Sequence, residues 1–216
     1  ELSIYGKDSL FEFVIRNISY PNIRDRYKEA MQKLENDDPE LAEFIVLCAY
    51  MHNCHVPLSF EMAYDYFLGL YPEINYVDIF NLKKDSNDII KDYVPNDNNQ
   101  KYEDMDYYYP RSRYAASVIL DSCSVDLLKN VLNNVIENIG SYRICDYSIF
   151  RKYAFDKRIV FSAFPSWKEG KKFYENAYVY DRNNPYVLQQ GALYLAQKQQ
   201  YDLAFEWIDR AINMTD

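Results

Sequence analysis

Cys48, His52, Cys54 and His55 form the one conspicuous concentration of metal-ligating side chains in this sequence. Thiolate and imidazole are the ligand types of a tetrahedral zinc site, and three or four of them in so short a segment could converge on one ion. Their neighbours argue otherwise. Cys48 lies in an apolar helical run with Leu41, Phe44, Ile45, Leu47 and Tyr50, and Cys54-His55 stands at a helix exit, so packed thiols and solvated or carbonyl-bonded imidazoles are expected, without a metal. A Cys-His nucleophile is not expected either, because Cys48 and His52 are one helical turn apart with no orienting carboxylate or oxyanion donor beside them. Gly6, Gly69, Gly140, Gly170 and Gly191 are dispersed, so no glycine-rich loop can surround a phosphate with backbone N–H groups. The carboxylate pairs Asp37-Asp38 and Glu103-Asp104 fall in turns and loops and read as caps and solvated charge. Arg111 and Arg113 are the best candidates for a working charge, opening a helix where a phosphate or the acidic edge of a neighbouring domain could meet them. Ion pairs with Asp104, Asp106 or Asp121 are the structural alternative. No cofactor and no catalysis by this chain are expected.

Bulk properties narrow the partners. The net charge of −9 opposes the phosphate contacts that supply most nonspecific nucleic-acid affinity. Four cysteines in apolar or helical surroundings lack the density of a secreted disulfide framework, which points to a reducing cytoplasm. No apolar run approaches the roughly 20 residues that cross a bilayer. Five glycines in 216 residues favour helices over a turn-rich β fold. Both ends read as cut from a larger polypeptide, since a terminal repeat normally carries a polar capping helix and none follows Ile212.

Elements are placed by periodicity and punctuation. Leu2–Ser19 is too densely apolar for one exposed face, and Ile23–Leu34 follows as a charged helix. Asn36-Asp37-Asp38-Pro39 supplies a cap and a first-turn proline for Glu40–Asn53, whose apolar circumference predicts a central position. Ser59 can cap Phe60–Leu70, with a third helix at about Tyr76–Leu82. Asp88–Tyr93 and Tyr107–Tyr109 read as two strands joined by the polar loop Pro95–Asp106, Pro110 ending their pairing. Arg111–Leu120 and Val125–Ile139 read as helices, with Gly140 as a left-handed C-terminal cap.

Ala177 and Ala211 stand 34 residues apart, and around them Trp167, Gly170, Phe173 and Tyr174 align with Tyr201, Ala204, Trp207 and Ile208. A helix pair of that period needs a small residue where the helices approach closely. Asp181-Arg182-Asn183-Asn184-Pro185 supplies the turn between the copies. On these residues Ser148–Asn213 resembles about one and a half tetratricopeptide repeats, departing from the pattern at Lys157 and Arg158. In the second copy Leu188, Gly191, Ala192 and Leu195 would face inward from the first helix, and Tyr201, Ala204, Ile208 and Ala211 from the second. Tyr186, Gln189, Gln190, Tyr194 and Gln197 are then left to line a groove for a protein or peptide.

The order of three helices, a two-stranded ribbon and a helix opening Arg111-Ser112-Arg113-Tyr114-Ala115-Ala116 resembles the winged-helix module of multidomain STAND-type signal-transduction ATPases, in which tetratricopeptide repeats commonly follow. The resemblance implies a mostly α fold with an N-terminal helical linker at 1–37, a winged-helix-like module at 38–140 and truncated helical repeats at 141–216. It further implies a non-catalytic regulatory segment contacting other domains of its parent, in bacterial signalling or antiphage defence, with no membrane and no specific nucleic-acid partner. A free-standing repeat scaffold is the first alternative. A DNA-binding regulator reading bases with Tyr76–Leu82 is the second, disfavoured by Asp78 and the scarcity of cations before Lys83 and Lys84.

Overall fold

The computed structural model describes residues 21–86, 89–93 and 106–214; the expected Leu2–Ser19 helix and nearly all of the Pro95–Asp106 loop lie outside the described residues. The fold is mostly helical with a small three-stranded antiparallel sheet. Helix α1 (Pro21–Asp37) leads into α2 (Pro39–Asn53), where the Asp38 carboxylate accepts the Leu41 N–H at 3.1 Å and Pro39 opens the first turn. Every residue from Ala42 to His52 is buried, because α1, two later helices that flank α2 (α5 and α6, below) and the sheet surround it, which is the central position its composition predicts.

Strand β1 (Leu58–Ser59) runs directly into α3 (Phe60–Leu70), capped by the Ser59 hydroxyl on Met62 N–H at 3.1 Å. Helix α4 (Tyr76–Asp85) starts with a reciprocal capping box between Asn75 and Asp78. Strands β2 (Ile90–Asp92) and β3 (Tyr107–Pro110) pair antiparallel, with Lys91 opposite Tyr109. The expected ribbon has two strands, but Leu58 pairs with Tyr108 on the other edge of β3, giving the order β1-β3-β2. A two-residue strand is too short to show an alternating pattern in sequence. Ser112 caps α5 (Arg113–Ser122) and Ser124 caps α6 (Val125–Asn138), where Glu35 of α1 also accepts the Ser124 N–H at 2.8 Å. Gly140 does not adopt the expected left-handed cap: its φ is −66°, and the chain leaves α6 extended through Ile139 into a 3₁₀ turn at Ser141–Arg143.

Five helices follow: α7 (Tyr147–Tyr153), α8 (Lys157–Ala163), α9 (Trp167–Tyr180), α10 (Pro185–Gln197) and α11 (Tyr201–Asn213). The turn into α10 follows its sequence closely, with Asn183 at φ 66°, the Asn184 side chain accepting the Tyr186 N–H at 3.0 Å and Pro185 in the first turn. Arg151 of α7 grips the buried Asp181 carboxylate through two 3.0 Å hydrogen bonds, and Asn184 donates a third at 2.7 Å.

Buried tyrosines explain part of the tyrosine excess. Helices α7 and α8 are seven residues each, and the chain just past their ends presents carbonyls that no helix ladder takes up. The Tyr50 hydroxyl donates to Ala154 O at 2.6 Å, Tyr174 to Phe155 O at 3.0 Å, and Tyr194 to Phe164 O at 2.8 Å and Ser166 O at 3.1 Å. Tyr180 does the same for Ile139 O at the end of α6, at 2.9 Å. Each ring fills core volume while its hydroxyl satisfies a carbonyl of a buried residue, Ala154, Phe155, Phe164 or Ile139. Two of these bonds cross residue 140, and one apolar cluster extends from Met31 to Ala211. The segments 38–140 and 141–216 therefore share a core.

Candidate interaction surface

Helices α10 and α11 form the final antiparallel pair of the described chain, and Gly191 makes their contact close. A Cβ at Gly191 would lie 2.4 Å from Cζ3 of Trp207, so an edge of the indole meets the α10 backbone where the side chain is missing. Gly170 does the same between α9 and α10, where a Cβ would meet the Tyr194 phenol at 2.2 Å. Ala177 and Ala211 are both buried on helices, as are Phe173 and Trp207, their aligned neighbours.

The second-copy positions divide differently from the expectation. Leu188, Gly191, Ala192 and Leu195 are buried as expected, but so is Tyr194, at 0% exposure. Helix α10 packs α9 and α8 on one side and α11 on the other, so two faces are covered rather than one. Tyr194 belongs to the α9 side, its ring 5.7 Å from that of Tyr174, and is not available to a partner. Gln190 is half-buried and accepts the Lys157 N–H at 3.0 Å. What remains exposed is the stripe Tyr186, Gln189, Leu193 and Gln197. On α11, Tyr201 does not face inward either. It begins an exposed stripe with Phe205 and Ile212, along whose inner edge Ile208 is half-buried against the core, all four on one helix face.

The two stripes meet in an apolar groove of about 250 Å³ lined by Pro185, Tyr186, Gln189, Ile208, Ala211 and Ile212. Tyr186 is 41% exposed and Ile212 53%. Exposed Asp202, Glu206 and Asp209 flank the α11 stripe, so the rim is acidic apart from Arg210, whose guanidinium stacks on Tyr178. Thirty-four residues earlier, Ile208, Ala211 and Ile212 correspond to Tyr174, Ala177 and Tyr178 of α9. There Tyr174 and Ala177 are fully buried, Tyr174 lying against Tyr194 of α10. The face that α10 covers on α9 is partly open on α11, where Ala211 is buried like Ala177 but Ile208 is half-buried and Ile212 exposed.

The other expected site residues lie elsewhere. Arg111 and Arg113 are exposed where β3 passes into α5, Arg113 near His52 and His55, and neither lines the α10–α11 groove. Cys48 and Cys54 are fully buried and burial pushes both thiols up, so they pack as small apolar groups. Among the described residues no three His, Cys, Asp or Glu side chains converge as a metal ion would require. No described helix is long and apolar enough to cross a membrane. Compared with known proteins, this chain matches no family model, no curated protein and no solved structure.

Burial lowers the His52 pKa from 6.5 to about 4, with the positive charges of His55 and Arg113 acting in the same sense. The unfolded chain takes up a proton across that window and folded His52 does not, so stability is lost as pH falls from 6.5 towards 4. Glu43 acts oppositely: burial raises its carboxyl against the 2.6 Å hydrogen bond from Tyr66, so its contribution declines as pH rises above 4.5. His52→Gln is expected to flatten the acid side of a stability-versus-pH curve measured by urea denaturation, and an unchanged slope would contradict this assignment.

Proposed function

We propose that this chain is a non-catalytic interaction segment of a larger cytoplasmic signalling protein, a winged-helix-like module continued by tetratricopeptide-like helix pairs. It couples a protein ligand held by the helix pairs to a nucleotide-binding or effector domain of the parent. The carrying observation is the unequal fate of equivalent positions: Tyr174 is fully buried against α10, while its counterpart Ile208 is half-buried and lines, with the 53% exposed Ile212, an open groove. The occupant that fits is an amphipathic helix with large apolar residues on one face, of the kind that α10 presents to α9. The winged-helix part of the reading is supported by the order α2, β1, α3, α4, β2, β3 and by the sheet order β1-β3-β2. Base readout is disfavoured because α4 exposes Tyr76, Val77 and Phe80, and its Lys83 is turned into the fold against Asp92 at 3.0 Å. The continuous core across residue 140 favours the scaffold alternative to the extent that both parts move together.

A stapled peptide copying Pro185–Gln197, the helix that covers the equivalent face of α9, is the probe. Titrated into the whole chain, it is expected to bind saturably and to lose about tenfold or more in affinity with Ile212→Asp, at an unchanged melting temperature. Duplex DNA in parallel is expected to give no complex at physiological salt. No peptide binding, or binding indifferent to Ile212→Asp, would refute the groove; a sequence-specific DNA complex would put the regulator reading first.

A further inference from the structure

Helix α4 carries a second surface, independent of the α10–α11 groove. Its Ile79, Leu82 and Lys83 are buried against the core, and along its outer arc Tyr76, Val77 and Phe80 are 60%, 63% and 61% exposed. Three large apolar side chains this exposed on one short helix make a patch rather than scattered surface residues. The patch is held in shape: the Tyr76 ring stacks on Tyr64 at 4.3 Å and on Phe60 at 5.7 Å, both from α3. Less side-chain entropy is then lost when a partner covers it.

The adjoining edge of α4 fixes the sign of that partner. Asp78, Asn81 and Asp85 form one wall of a cleft of about 300 Å³ that Asp38, Glu40 and Glu73 also line. Asp38 and Asp78 cap helices, so both are held as fixed acceptors at the cleft. Lys84 is the opposing exposed charge on α4. An apolar patch bordered by five carboxylates complements a segment whose apolar residues are flanked by lysine or arginine, and repels nucleic acid.

We propose that the outer face of α4 docks a basic amphipathic helical segment of a protein partner, its apolar side chains on Tyr76, Val77 and Phe80 and its cations along the Asp78–Asp85 edge.

The probe is a synthetic helical peptide of leucine and lysine with leucine on one face, beside a counterpart with glutamate replacing lysine. The lysine peptide is expected to bind the whole chain saturably and the glutamate peptide not at all. Val77→Ser with Phe80→Ser leaves the charge unchanged and removes the apolar contact, and should weaken binding about tenfold or more. Glu73→Gln with Asp85→Asn should weaken it as well and reduce its dependence on salt. Both pairs are exposed, so the melting temperature reports whether the fold is intact. Binding that falls with the charge variants but not with the serine variants is nonspecific attraction to an acidic protein and overturns the proposal. So does equal binding of both peptides, competition by duplex DNA, or sedimentation showing that Phe80 seals a dimer of this chain. Ile212→Asp is expected to leave this binding unaltered, which separates the two surfaces.

Discussion

Tyr194→Ala is expected to destabilise the chain by about 3–5 kcal/mol, the range for removing a large aromatic side chain from a packed core. The ring lies over Gly170, against Tyr174 at 5.7 Å and edge-on to Phe161 at 6.3 Å, and is fully buried. Gly170 has no side chain to move into the space, so the site cannot collapse cheaply. The deletion also strands the buried Phe164 carbonyl, which the hydroxyl reaches at 2.8 Å, and removes a second acceptor contact at Ser166 O, 3.1 Å away. Tyr194→Phe separates the two terms: it keeps the ring and removes the donor, and should cost about 1–3 kcal/mol. Equilibrium urea unfolding of both variants measures this. A near-neutral Tyr194→Ala would mean that the residue faces solvent after all.

Gly191→Ala should destabilise even though alanine is the better helix former by about 0.8–1.0 kcal/mol. The added methyl would sit 2.4 and 2.5 Å from two atoms of the Trp207 ring, itself buried at the α10–α11 contact, with Tyr174 behind at 3.2 Å. Overpacking of this kind costs about 1–3 kcal/mol, which exceeds the propensity gain, and Gly191→Val should cost more. Gly69 is the control. A methyl there meets the side chain of Asn138, which can swing aside at the expense of its 3.3 Å hydrogen bond to Tyr66 O, so Gly69→Ala should be far milder. Thermal melts of the three variants rank them, and a stabilised Gly191→Ala would contradict the close helix approach.

The parts of this fold that sequence makes legible are those decided within a few residues. Asp38-Pro39 and Asn184-Pro185 announce helix starts because capping needs only a side-chain oxygen and a free N–H a turn away. The burial of Ala177 and Ala211 follows from spacing, since a close helix contact repeats wherever the same small residue recurs. Strand β1 escapes notice because two residues carry no period, and it exists only through pairing with β3 across nearly fifty intervening positions. Tyr194 reads in sequence as a groove residue if a helix buries one face; α10 buries two, and no single-helix pattern says which polar-tipped aromatic turns inward. Tyr201 shows the converse: the stripe from Tyr201 to Ile212 has core spacing, and only the structure shows it uncovered. Arg111 and Arg113 stand out in sequence by their place after a strand, yet three-dimensional proximity links Arg113 to His52 and His55 rather than to the groove.

Amide hydrogen exchange of the whole chain, with and without the stapled Pro185–Gln197 peptide, tests the open-face reading most directly. Slowed exchange is expected in the last turns of α11 around Ile208–Ile212 and in the first turns of α10 around Tyr186–Gln189, with α4 unchanged. Protection confined to α4 or to the sheet, or none at saturating peptide, would contradict the reading of the α10–α11 groove as a helix-docking surface.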